Sequence, residues 1–336
     1  MKKHLLIVML IQLVLTGCFA TTTVKFDSNS HNPVISESNL ADPHVIKHNG
    51  VYYMYPTSNG RGSPARLYVY SSSDLRNWTK HNVAFSKGVN ELWAPDVFYH
   101  EATDTFYMYY TQSNSYTDIK IGIATSKTPY GPFDDKGILT DGIDAHVFQD
   151  DDGQIYFYWT KAPAGFLGQG PIAVRKMDPL SPTRFIGEEK IVIRANQGWE
   201  NIFTGSPEAM FKFMPITEGA FIVKRNGTYY MLYSGGFFAS VNYSTGYATS
   251  NSPMGDFTKS AKNPILSAFR QQGLSGPGHV AVVENNNGGL SIIYHGKSKG
   301  EYVEGGGDRY ISEDTLWFDG NGEIQIGTSF LNPNRL

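Results

Sequence analysis

Three carboxylates recur at one offset from a short apolar run: Asp42 stands three residues before Val45, Asp144 three before Val147, and Glu218 three before Phe221. Two further segments share the pattern and carry Ala94 before Val97 and Pro277 before Val280. Two residues further on, the same five segments hold His44, Asp96, His146, Ala220 and His279. On strands, that spacing returns a side chain to the same face, so the second set forms another polar ring. Any one acid at a strand's mouth could simply cap a turn. Three at a repeat-equivalent position repel one another and raise each other's pKa, which costs stability unless chemistry uses them. One protonated and one ionised carboxyl across a sugar ring is what glycosidic cleavage requires, and a third can tune the acid.

The elements that must hold these acids are hairpins. The fullest copy is Thr217 to Gly236, where the acid leads into Phe221–Val223, the Asn226-Gly227 turn signal and the aromatic strand Tyr229–Tyr233. Related hairpins begin at Ala41, Ala94, Ile143 and Gly276. Third strands ending in serine-rich turns start at Tyr68, Ile121 and Thr245, and fourth strands are expected at 82–85, 137–139, 190–193 and 264–266. Residues 309–318 and 323–326 complete the fifth unit. Units of roughly 50 to 70 residues with four strands each predict an all-β fold, a five-bladed β-propeller of four-stranded antiparallel blades around a central channel. If each first strand lines the channel, the three acids meet at one mouth. The stretch 162–215 has no repeat and reads as an insertion that overhangs the mouth, with Gly165, Phe166, Gly168, Trp199 and Phe203 as anchors. It also holds a rival acid, Glu208. A second rim is expected at 235–243, with Phe237, Phe238 and Asn242.

The chain begins with Lys2 and Lys3, an apolar run from Leu5 to Leu15, and Leu15-Thr16-Gly17-Cys18. The run is short of the roughly 20 residues that span a bilayer, so it reads as an export signal. Its ending resembles a bacterial lipoprotein signal, which implies Cys18 as the lipidation site. Cys18 is the only cysteine, so a disulfide within the chain is excluded. The expected domains are a signal over 1–18, a tether over 19–38 and a catalytic propeller over 39–336. The expected location is exported and membrane-anchored, facing the periplasm or on the cell surface. A formal net charge of −3 offers no basic face for nucleic acid. Nothing calls for a partner chain, and a monomer is expected.

Together these segments resemble glycoside hydrolase family 43, inverting five-bladed enzymes of bacterial and fungal polysaccharide breakdown, from Leu40 to Ile326. The matching residues are Ala41-Asp42-Pro43, Trp93-Ala94-Pro95-Asp96, Ile143-Asp144 with Val147-Phe148 and Asp151-Asp152-Gly153, Glu218-Gly219 with Tyr229-Tyr230, and Gly278-His279 with Tyr294-His295. Ala145 and Ala220 stand where many members have proline. The resemblance implies Asp42 as general base, Asp144 as pKa modulator and Glu218 as general acid. It then implies carboxyl carbons of Asp42 and Glu218 roughly 6.5 to 9.5 Å apart, to admit a water. It further implies Trp93 and Arg309 at the bound sugar; position alone adds His44, Asp96 and His146 as sugar contacts. His279 matches a histidine that can hold a hydrated calcium in the channel, though Ca²⁺ prefers many oxygens and water would supply most of the shell. No cofactor is required. The substrate implied is an oligosaccharide or polysaccharide of plant or algal origin, with α-L-arabinofuranosidase or β-xylosidase activity first. β-Galactofuranosidase, galactan-directed or endo-arabinanase activity, or a non-catalytic sugar-binding propeller, are the alternatives.

Overall fold

The computed structural model describes residues 30–58, 63–115, 117–161, 170–201, 215–268, 275–297 and 309–327. They form five four-stranded antiparallel sheets, each from consecutive strands. Blade one holds β1 (Leu40–His48), β2 (Val51–Ser58), β3 (Ala65–Ser72) and β4 (Thr79–Lys87). Blade two holds β5 (Glu91–His100), β6 (Thr105–Ser115), β7 (Asp118–Ser126) and β8 (Asp134–Asp141). Blade three holds β9 (Ile143–Gln149), β10 (Ile155–Thr160), β11 (Ile172–Asp178) and β12 (Ser181–Ile193). Blade four holds β13 (Thr217–Arg225), β14 (Thr228–Gly235), β15 (Ser244–Ser250) and β16 (Thr258–Lys259). Blade five holds β17 (Ser275–Glu284), β18 (Leu290–Lys297), β19 (Arg309–Phe318) and β20 (Ile324–Ile326). The first strands touch in a closed ring, β1 to β5 to β9 to β13 to β17 and back to β1. This is the five-bladed propeller expected.

A blade buried on both faces explains the second strands, which are apolar at successive rather than alternate positions: β2, β6, β10 and β14 are buried almost throughout. The core is correspondingly divided into five clusters, one between each pair of adjacent blades. Three of these seams carry the same latch. Tyr55, Tyr109 and Tyr158, equivalent on the second strands, donate to the carbonyls of Pro129, Pro182 and Pro253 in the next blade. Blade four has Leu232 at that position and blade five Ile293, so their seams close differently.

The seam between blades five and one is closed by the chain's entry. Asn32 exchanges hydrogen bonds with the Glu313 backbone, His31 meets the Glu313 carboxylate at 2.8 Å, and the Val34 N–H donates to Ile311 O. Val34 is 3% exposed and belongs to the cluster between the two blades. Glu37 then accepts from Tyr70 and Lys80 of blade one. The tether expected to run to residue 38 therefore joins the core from residue 31 onward.

Two other expectations are corrected. The stretch 162–215 is not one insertion, because it supplies the whole of β11 and β12; the third strand is hidden in the sequence because its serine-rich turn is absent. Its inserted remainder, 162–169 and 202–214, lies outside the described residues, as do Glu208, Gly165, Phe166, Gly168 and Phe203. Trp199 does anchor the neighbouring turn: a Cβ on Gly235 would fall 2.8 Å from its ring, and one on Gly246 2.7 Å. The outer strand of blade four is β16 at Thr258–Lys259, whereas Leu266 contributes only an isolated bridge to Thr245.

Candidate active site

Each innermost strand breaks register with its hairpin partner at the mouth: between Ala41 and His44, Trp93 and Asp96, opposite Tyr158 and Thr160, between Glu218 and Phe221, and around Gly278. One residue in each break is left-handed. They are Asp42 (φ 47), Ala94 (φ 41), Asp144 (φ 57), Gly219 (φ 59) and His279 (φ 49). Four of these five are not glycine, and such conformations persist only where surrounding bonds enforce them. The enforcing bonds repeat. The Asp42 N–H donates to His295 Nδ1 at 3.1 Å, Ala94 N–H to Thr57 Oγ1 at 2.7 Å, Asp144 N–H to Thr111 Oγ1 at 3.2 Å, and His279 N–H to Ser234 Oγ at 2.8 Å. In each case the acceptor stands on the second strand of the preceding blade.

This register corrects the sequence alignment in blades four and five. The position shared by Asp42 and Asp144 is filled by Gly219 and His279, and Glu218 lies one residue earlier, level with Trp93. Two of five equivalents are acids, not three. The reason is space: a Cβ at residue 219 would stand 3.1 Å from the His279 ring. Glycine avoids crowding that ring, and blade four presents its carboxyl from the residue before, on the longer stem of glutamate. The second ring shifts accordingly to His44, Asp96, His146, Phe221 and Ala281.

All three acids nonetheless converge. His279 Nδ1 lies 3.4 Å from Asp42 Oδ1 and 3.7 Å from Asp144 Oδ2. The Gly219 N–H donates to the Asp144 carboxylate, on the first rather than the second strand of the preceding blade, and Tyr243 donates to Glu218 Oε1 at 2.7 Å. Tyr243 is stacked on His295 with centroids 5.6 Å apart, a placement that needs Gly278, whose Cβ would fall 2.2 Å from the tyrosine ring. Thr57, besides holding Ala94, donates to Asp42 Oδ2 at 2.7 Å. Arg309 completes the wall, Nη1 at 3.7 Å from Asp42 Oδ1 and its guanidinium 5.4 Å from the Phe238 ring.

The three carboxyls differ in charge. Burial pushes Asp42 up, but His279, His295 and Arg309 outweigh it and hold its carboxyl well below the usual range. Burial also keeps both histidines below their ordinary value, His295 at about 3, so at neutral pH the guanidinium is the lasting cation. Glu218 is raised to about 7 by burial, aided by Asp42 and opposed by the Tyr243 bond and Arg309. Asp144 is raised well above the carboxylate range by burial, Glu218 and Asp42. Glu218 thus raises Asp144, whereas Glu218 itself is raised by burial and Asp42, and the pair retains a proton near neutral pH because both cannot ionise side by side.

The expected sugar contacts divide. Trp93 is half-buried at the level of Glu218, with Nε1 bonded to Glu91. His44, Asp96 and His146 are instead bound up with one another below the mouth. Both histidines place Nδ1 on Asp96 Oδ2, at 3.0 and 2.8 Å, and Asp96 is 3% exposed. Among the described residues these three alone could converge on an ion. Two nitrogens and one carboxylate do not suit calcium, and the second nitrogen of His44 is occupied by Val97 O at 3.1 Å. His279 is not among them, since its register places it between Asp42 and Asp144. Sequence reading missed Tyr243, Thr57 and Lys297. The hydroxyl series Thr57, Thr111, Thr160 and Ser234, on the second strands of the first four blades, is the available signal for Thr57.

A model of known protein families described as glycosyl hydrolases family 43 matches residues 30–319. The chain belongs to glycoside hydrolase family 43. Family 43 relatives include the β-D-galactofuranosidase xynD of Aspergillus niger, 29% identical over 91% of this chain and 86% of that one. Another is the arabinoxylan arabinofuranohydrolase of Bacillus subtilis, 28% identical over 97% of this chain and 71% of the relative. Among solved structures, a thermostable family-43 glycoside hydrolase superposes with a TM-score of 0.77 at 32% identity, covering 90% of this chain and 97% of the other. A structure described as an endo-1,4-β-xylanase from Bacteroides thetaiotaomicron gives 0.74 at 29%, covering 89% and 97%.

Proposed function

We propose that this family 43 enzyme is an inverting glycosidase that releases terminal sugars, α-L-arabinofuranosides first and β-xylosides second, with β-galactofuranosides behind. The observation that carries the mechanism is the division of charge at one mouth: an Asp42 held ionised faces a Glu218 raised to about 7. Asp42 takes a proton from a water on one face of the anomeric carbon while Glu218 gives its proton to the leaving oxygen. Asp144 is assigned to tuning and orienting the acid; it is held by the Gly219 N–H and its own carboxyl is raised by Glu218. Arg309 and the half-buried Trp93 are assigned to the sugar, the tryptophan covering apolar C–H surface. Side chains and water suffice for every step. The substrate class rests on the named activities of the relatives.

The test is a panel of nitrophenyl furanosides and pyranosides, with proton NMR of the first-formed anomer. Release from an arabinofuranoside with inverted configuration is expected. A retained anomer would overturn the water-mediated step, and no release from any substrate would overturn the activity.

We also propose that the protein is exported and tethered by a lipidated Cys18, a residue outside those described. The entering chain climbs from the level of Glu313 to that of Ile311 before β1 begins at the mouth. Cys18→Ser is expected to move the protein from the membrane to the soluble fraction.

A further inference from the structure

Lys297, the last residue of β18, is completely buried, between Ser275 of β17 and Arg309 of β19. Among the described residues no carboxylate pairs with it. Its ammonium donates instead to the carbonyls of Phe238 and Ser240, in the loop between β14 and β15. That loop has two working ends. Phe238 turns its ring to Arg309, and Tyr243 gives its hydroxyl to Glu218. The link to Tyr243 is direct, because Ser240 O also accepts the Tyr243 N–H at 3.4 Å. Gly276 permits the approach: left-handed at φ +53, it would place a Cβ 2.6 Å from Ser240 O and 2.9 Å from Lys297 Nζ.

We propose that Lys297 is a positioning residue of the active site, clamping the carbonyls of Phe238 and Ser240 so that Tyr243 stays aimed at Glu218 and Phe238 at Arg309. Packing alone gives no reason for it, since an apolar side chain of similar length would fill the space without desolvating a charge. The charged and titratable groups acting on it are Arg309 from β19, Asp42 from β1 and His295 on its own strand, and from the loop it receives the carbonyls of Phe238 and Ser240. Burial, reinforced by Arg309 and opposed by Asp42, lowers the ammonium to about 7. The clamp is therefore strongest on the acid side of neutrality, where Glu218 is protonated.

The inference rests on Glu218 as the acid, and its test is read without turnover, by carbon-13 NMR titration of the Glu218 carboxyl. The Tyr243 bond favours the ionised form, so its loss raises the Glu218 pKa. Tyr243→Phe is expected to raise it by about one pH unit, in line with a hydrogen bond to a charged group. Lys297→Met is expected to raise it similarly, and the double variant no further. A Glu218 titration unmoved by Lys297→Met overturns the clamp. So does additivity, because loss of a nearby positive charge alone would add to the tyrosine effect. Should Lys297→Met fail to fold, Lys297→Gln is expected to give a smaller upward shift, and no shift overturns the proposal. If the enzyme proved to hydrolyse no glycoside, the acid role of Glu218 would fall while this titration stayed readable.

Discussion

Two carboxylate centres share the axis of this propeller and are treated in opposite ways. Below the mouth, Asp96 is closed in by two imidazoles at 2.8 and 3.0 Å and by the Val147 N–H at 3.3 Å. Burial pushes its carboxyl up, yet His44 and His146 overcome this and keep it well below the ordinary range. At the mouth, Asp144 and Glu218 each receive one protein donor and face each other's charge, so burial prevails and a proton stays with the pair. The difference teaches that depth in the channel does not decide a carboxyl's charge; the number of donors within reach does. Asp96 is satisfied and stabilises the fold, whereas the mouth acids are left wanting a partner that substrate and water would supply.

Removing the mouth acids should give the largest effect. Glu218→Gln and Asp42→Asn are each expected to lower kcat by on the order of 10³-fold on an activated arabinofuranoside, the scale of lost general acid–base catalysis. A loss under tenfold for either would erase the functional half of the contrast. Asp96→Asn should lose less rate than these but about 3 kcal/mol of stability, because an uncharged amide with a single acceptor oxygen replaces the carboxylate that holds both imidazoles and the Val147 N–H. Chemical denaturation measures this, and a variant as stable as the parent would make the lower centre ornamental.

Stability against pH sharpens the same point with opposite signs. Glu218 has a folded pKa raised from 4.5 to about 7, so its carboxyl favours the fold below pH 4.5 and that contribution is lost as pH rises through 7. Glu218→Gln should therefore be more stable than the parent by about 3 kcal/mol at pH 8, with no gain at pH 4. Asp96 is depressed, so its contribution is present above the unfolded carboxylate value and is lost as pH falls toward its folded one. Melting curves at pH 8 and pH 4 for both variants distinguish the centres, and a Glu218→Gln destabilised at pH 8 would contradict the assignment. The smallest effect is expected at Thr57, which links Asp42 to the second blade's strained backbone. Thr57→Val leaves the Ala94 N–H without its acceptor and should cost about 1 kcal/mol, with a modest fall in kcat/KM.

Much of this was open to a reader of the chain. The hairpin repeats specify five blades, and the acids that lead their first strands single out Asp42, Asp144 and Glu218 as a set. Glu218 nonetheless stands one residue before the position equivalent to Asp42 and Asp144, because the five blades do not break register alike. Gly219 is where they differ, and nothing in the local sequence tells that a histidine ring from another blade occupies the space above it. His279 was likewise expected in the lower ring, because its distance along the strand was measured without the extra bulge of β17.

Composition, hairpin spacing and strand-leading acids depend on local chain geometry, and the sequence alone determined them: five units, all β, with carboxyls at one end. The tertiary structure decided which acid keeps its proton. That choice is made by groups far apart in the chain, His279 and Arg309 beside Asp42, Tyr243 beside Glu218, Lys297 behind the loop. Charge in a buried site follows from distances between blades, and those distances exist only once the ring has closed.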